Sequence, residues 1–292
     1  MDFAFNASAL GAGGVIERGN VITTIPSIAS VALAPTGGEG RSVVTNYFSE
    51  ELEFSHAETR VFGRQHTGAD GKALFTTSTY VLLKDVSIFS SLRIAEMHST
   101  VTSTRGFTGG EDHDFEILVS FRGVRIGRID IDPRVDERLT KVRRYKELEG
   151  MVTAGRAARP EDHALAQRFG ASPDQFVKLV GEKKPLQGSL VESIDGLEAK
   201  TQSPIVTIPG IGTVRFAELM IKPGRRRLNL LRIKFGPARD GGRFEPQGEG
   251  EMPQALMMMA PAPMDEEAVR FAPTGGSMTL GSGEGNGTPI EP

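Results

Sequence analysis

PIVTIPGIGTVRFAELMIKPGRRRLNLLRIKF, residues 204–235, decides the fold class of this chain. Three short β-favouring runs are separated by two Pro-Gly dipeptides, at 209–210 and 223–224, and Pro-Gly between alternating apolar residues marks hairpin turns. Side chains on a strand alternate between faces. Val206, Ile208, Val214, Phe216, Leu228, Leu230 and Ile233 are therefore the predicted inward residues of a β-sheet core.

The same pattern extends upstream. SVVTNYF (42–48), ELEFSHAETRVF (51–62), ALFTTSTYVLL (73–83), VSIFSSLRIAEMH (86–98), STVTSTR (99–105) and FEILVSFRGVRIGRIDI (115–131) are rich in Val, Thr, Phe and Tyr. Such runs suit half-buried antiparallel strands with one wet face. Earlier, prolines at 26 and 35 end two short predicted strands around 21–25 and 31–33. The pattern changes at Pro133. Val135, Leu139, Val142 and Leu148 fall near helical spacing, and a second helical block covers 160–183, with Gly170 ending one helix and Ser172 capping the next at Pro173. Strand character returns near Leu190. Past Gly236 the chain is Gly- and Pro-rich, acidic and without apolar alternation, a composition that does not offset ordering entropy. The predicted fold is mainly β: an antiparallel β-sandwich-like body (1–133 and 185–236), a short helical insertion (134–184) and a disordered C-terminal tail (237–292).

Composition narrows the functional classes. The 292 residues include 35 Gly and 17 Pro, only 7% aromatics, no Trp and no Cys, which suits a turn-rich β-protein. Without cysteine there is no thiol nucleophile, disulfide or thiolate metal site. Of the formal net charge of −3, residues 237–292 hold three Arg against nine acidic side chains, 3 − 9 = −6, leaving +3 for residues 1–236. So small an excess does not call for a polyanionic partner. No apolar run approaches the roughly 18–20 residues of a membrane helix. The opening residues show neither a basic n-region nor a continuous apolar core, so no signal peptide is expected there.

Candidate chemistry is sparse. EDHDFE (111–116) is the most metal-like segment, with Asp112 and Asp114 on one strand face and His113 on the other. A solvated loop after Gly109-Gly110 is the plainer reading. DIDPRVDE (130–137) imitates a calcium loop but has Arg134 and Val135 where a ligand and a glycine belong. GAGGVI (11–16) and GIGTVR (210–215) each lack the third glycine of a dinucleotide fingerprint. No cofactor is expected. LAQRFGASPDQFVKLV (165–180) has helix-turn-helix spacing, with Ala166, the Gly170 turn, Phe176 and Leu179, but its second helix carries Asp174. A helical hairpin packed on the sheet is the plainer reading, and nucleic acid is not an expected partner. ALMMMA (255–260) places Met257, Met258 and Met259 together; a fortuitous apolar patch in the tail is the plainer reading, and a docking motif, since methionine adapts to irregular apolar surfaces, is the alternative.

IPSIASVALAPTGGEG, FEILVSFRGVRI, IPGIGTVRFAEL and RLNLLRIKF together resemble a bacterial family, the choice-of-anchor proteins of type P. The shared features are strand-and-turn patterns over about residues 1–131 and 190–236. The resemblance implies an exported, β-rich surface protein and carries over no catalytic residue. The helical insertion, the tail and the opening without a signal peptide depart from that pattern. The functional expectation is a non-enzymatic structural or interaction protein with a protein partner or a second copy. The alternatives are a helix-turn-helix DNA binder and an enzyme whose site is assembled from dispersed loops.

Overall fold

The computed structural model describes residues 2–106, 114–145, 147–148, 165–197, 204–236 and 273–290. Eight strands precede the helical insertion: β1 (Asp2–Arg18), β2 (Val21–Ala32), β3 (Gly38–Phe48), β4 (Leu52–Thr67), β5 (Ala73–Ile88), β6 (Leu92–Gly106), β7 (Asp114–Ile126) and β8 (Ile129–Val135). The insertion contributes α1 (Glu137–Thr140) and α2 (Pro173–Gly181). Six strands follow: β9 (Leu186–Ser189), β10 (Val191–Asp195), β11 (Ile205–Ile208), β12 (Gly212–Lys222), β13 (Arg225–Phe235) and β14 (Gly275–Ile290).

They form two antiparallel sheets. The first runs β11-β12-β13-β14-β1-β2, with β9 also paired to β12; the second runs β10-β8-β7-β6-β5-β4-β3. The sheets stack face to face, with β1 over β4 and β5, and β14 over β5 and β6. Rings cross the gap from both sheets: Phe121 meets Phe216 edge-on at 5.6 Å, and Phe89 meets Phe235 at 5.8 Å. The fold is a mainly β antiparallel sandwich. All seven core residues read from 204–235 are buried.

Segment boundaries differ from the expectation where a strand runs on through a local kink or breaker. The expected strands 73–83 and 86–98 are one strand and part of the next: Asp85 takes a left-handed φ of +51° and the pairing resumes at Val86, while Phe89 and Ser90 (φ +47° and +55°) make the true turn. Pro26 does not end a strand. It lies within β2, an edge strand, where a missing N–H costs no ladder bond.

The largest correction concerns the C-terminus. Residues 275–290, expected in the tail, form β14 between β13 and β1, in register with both (Ile233↔Met278, Gly13↔Thr279). The reason is steric. The alternation LGSGEGNG turns Gly281, Gly283 and Gly285 toward the core, and a Cβ on Gly283 would stand 2.6 Å from Thr79 Oγ1. Glycine is what allows the β14 backbone to lie this close to the Thr79 side chain. Residues 237–272, the rest of that expected tail, lie outside the described residues. The described residues on either side of them adjoin, because Thr274 N donates to Glu17 O at 2.7 Å and Gly236 lies beside Thr274.

One side of the sandwich is closed and the other open. On the closed side the chain crosses between sheets at Ser189-Leu190, where Ser189 Oγ donates to Phe216 O (2.7 Å) and Leu190 O accepts from Asp136 N (2.8 Å). The helical insertion packs there: Tyr145 Oη donates to Val180 O (3.1 Å), and Phe115 N to Arg143 O (2.9 Å). On the open side the edge strands β2 and β3 lie next to each other, and Thr59 Oγ1 of β4 ties β2 to the second sheet by donating to Ala29 O at 2.8 Å.

Candidate interaction surface

The open side carries three of the four most exposed large apolar side chains among the described residues, the fourth being Leu118 on β7. Val21 and Ile22, at the start of β2, are 62% and 68% exposed, and Phe48, at the end of β3, is 76% exposed. The β1–β2 and β3–β4 turns that carry them meet through Arg18, which pairs with Glu51 at 3.0 Å and Glu50 at 3.7 Å and lies 5.7 Å over the Phe89 ring. Burying an apolar side chain of this size stabilises by roughly 1.5–3 kcal/mol, and three of them stand exposed along this rim.

The edge strands themselves are blunted. Pro26 and the left-handed Ala29 (φ +48°) interrupt β2, and the left-handed Asn46 (φ +54°) kinks β3 between Thr45 and Tyr47 without shifting its register. Kinks and prolines on edges disfavour addition of a further strand.

Next to the rim, the outer face of the second sheet bears Glu58 between Arg60 (2.7 Å) and Arg41. The Arg60 hydrogen bond, helped by Arg41, outweighs burial and holds the Glu58 carboxyl at about 2. Arg60 also lies 5.6 Å over Tyr80. Further along, Ser120 and His98 Nδ1 are hydrogen-bonded at 2.9 Å across β6 and β7. No carboxylate orients this imidazole among the described residues, so the pair lacks the third group of a catalytic triad.

At the closed side, an open cavity of about 440 Å³ is lined by Arg134, Val135, Asp136, Glu137, Arg138 and Glu192. Asp136 caps α1 by accepting from Arg138 N (2.8 Å), and its carboxylate pairs with the Arg138 side chain and with buried Arg168. Burial raises the Asp136 carboxyl, but the hydrogen bonds from Arg138 and Arg168 outweigh it and bring it to about 2.

The sequence-predicted site residues do not converge. Asp112 lies outside the described residues, as do Met257, Met258 and Met259. Asp114 is on β7, 3.7 Å from Arg143, a cation where a metal was considered. Among the described residues no cluster of three His, Asp or Glu could hold a metal ion. In the 165–180 segment, Gly170 does make a left-handed turn (φ +67°), and Ala166, Phe169, Phe176 and Val180 are buried. Gln175 is engaged in a capping box with Ser172. No helix among the described residues is long and apolar enough to cross a membrane. Sequence reasoning missed the rim because Val21, Ile22 and Phe48 resemble any other strand residues until the strand order makes theirs edges.

Fold and surface together define a two-layer antiparallel β-sandwich with one side closed by helices and an apolar rim on the other. The chain belongs to a family known by its domain of unknown function, DUF8256, whose model matches residues 3–222. That match ends with β12, so β13 and β14 complete the first sheet from outside it. No curated protein and no solved structure matches the chain.

Proposed function

We propose that this protein is a non-enzymatic structural or interaction protein that associates with a second copy of itself through the open-side rim. The observation that carries this reading is the exposure of Val21, Ile22 and Phe48 at the adjoining ends of two edge strands, held by Arg18. A two-fold interface sets the same patch against itself, which suits an apolar centre flanked by both charges; Arg18 and the 67%-exposed Glu50 side chain supply them. Chemically capable side chains support the non-enzymatic part, since Glu58, Asp136 and His98 are each engaged by structural neighbours. A place on a bacterial cell surface rests on the resemblance of the strand-and-turn segments to the choice-of-anchor proteins.

Analytical ultracentrifugation across a concentration series tests the association. The wild-type chain is expected to dimerise, and Ile22→Asp with Phe48→Asp to remain monomeric with an unchanged melting temperature. A wild-type chain that stays monomeric at high concentration, or a double variant that dimerises as well as wild type, removes the proposal.

A further inference from the structure

The outer face of the first sheet is built to be covered. Phe216 contacts Phe121 of the second sheet and Gly283 lies against Thr79, so Arg215 and the residues Ser282 and Glu284 point the other way. The strand register extends this face to Lys222, Arg225, Arg227, Arg232 and Lys234, with Glu218 and Glu284 as the acidic members, 6 − 2 = +4 over β12–β14. Arg227 and Arg232 hydrogen-bond the hydroxyls of Ser282 (3.4 Å) and Thr279 (3.3 Å). Their charges meet no carboxylate among the described residues.

This face is also buried. Arg215 is 7% exposed, Glu218 3% and Asn229 5%. Glu218 accepts from Gln187 (2.9 Å) and Asn229 (2.8 Å). Yet the described strands that pack across β13 and β14 are β5 and β6, on the opposite face.

We infer that residues 237–272 of this chain dock on that face. The segment leaves from Gly236 and returns at Pro273, both at one end of the neighbouring strands β13 and β14. It carries seven acidic residues and three arginines, 3 − 7 = −4, opposite in sign to the face. Half its length, about 18 residues, spans up to roughly 60 Å when extended, more than the roughly 35 Å of an eleven-residue strand. Leu10 and Met220 add apolar area to the face, a fit for Met257–Met259. The inference is independent of the rim on the open side.

Limited trypsin digestion of the full chain is the test, since Arg239, Arg243 and Arg270 are the only cleavage sites in the segment. At low salt, cleavage there is expected to be at least about tenfold slower than in a synthetic peptide of residues 237–273, because unscreened charges hold the segment on the face. Raising the salt to about 0.5 M, where the screening length falls to a few ångströms, should remove most of that protection. Asp265→Asn with Glu266→Gln and Glu267→Gln should do the same at low salt without changing the melting temperature. Cleavage at the rate of the free peptide in low salt overturns the docking. Protection that survives both high salt and the triple substitution overturns its charge-based fit to this face.

Discussion

β13 and β14 are neighbours in one sheet, yet they fill the space between the sheets by opposite means. β13 buries Leu228, Leu230, Leu231, Ile233 and Phe235, and beside it Phe216 of β12 reaches Phe121. β14 turns Gly283 and Gly285 toward Thr79 and Thr77 of β5, so that backbone meets hydroxyl-bearing side chains. Its other contributions to the core, Met278 and Leu280, are fully buried near its start. One half of the core is held by bulk and the other by closeness. Hydrophobic patterning reports only the first, because a glycine face has no hydropathy to show.

Removing β14 should have the largest effect of any change to this comparison. A chain ending at Gly236 leaves β13 and β1 as open edges in the middle of the first sheet, with unpaired backbone along both. It is expected to lose its cooperative thermal transition. Excising residues 240–270 and closing the gap with a short Gly-Ser link should instead leave a cooperative transition near that of wild type. The two ends already adjoin: Gly19 N donates to Thr274 Oγ1 at 3.0 Å beside Gly236. If the truncated chain melts like the full one, β14 is not an integral strand and the comparison fails.

The two packing modes can then be set against each other by single substitutions. Phe216→Ala removes a buried ring from the bulky half and should cost about 3–5 kcal/mol. Gly283→Ala adds one methyl to the close half, 2.6 Å from Thr79 Oγ1, and should cost about 1–3 kcal/mol by overpacking. Adding Thr79→Ala to Gly283→Ala should recover part of that loss, since contacting residues are not additive. Urea melts of wild type, Phe216→Ala, Gly283→Ala, Thr79→Ala and the double variant measure this. Additivity of the two β14–β5 substitutions would show that the close approach is not what glycine supplies there.

Much of this architecture is legible in the sequence where a strand carries its own apolar alternation. The 204–235 hairpins and their seven core residues are the clearest case, and the capped helix at Ser172-Pro173 another. β14 was not legible by that measure, although LGSGEGNG keeps a two-residue glycine period that a period-based reading could use. Left-handed kinks at Asp85 and Asn46 hide strand continuity because a left-handed residue inside a strand leaves no fixed residue type behind. The rim and the ion pairs were out of reach for a different reason. Edges depend on strand order, and Asp136 meets Arg168 across 32 positions of chain. The segment DIDPRVDE reads as a failed calcium loop, while its Asp136 is a helix cap that ties the insertion to the body.

That tie yields the smallest of the expected effects. The Asp136 carboxyl, with an ordinary value of 3.8, is held at about 2 in the folded protein. A carboxyl lowered on folding contributes stability that is complete above its unfolded value and is lost as pH falls through the folded one. The window therefore runs from about pH 5 down to about pH 2, and the loss is about 2 kcal/mol, an upper figure because Arg138 is half exposed. Asp136→Asn keeps a residue able to cap α1 but leaves buried Arg168 without its counter-charge, so it should be less stable at neutral pH. Urea melts of wild type and Asp136→Asn across that window should show the gap narrowing as acid neutralises the wild-type carboxylate. Curves that stay parallel down to about pH 2 would mean that the Asp136–Arg168 pair adds nothing to holding the helical insertion on the sandwich.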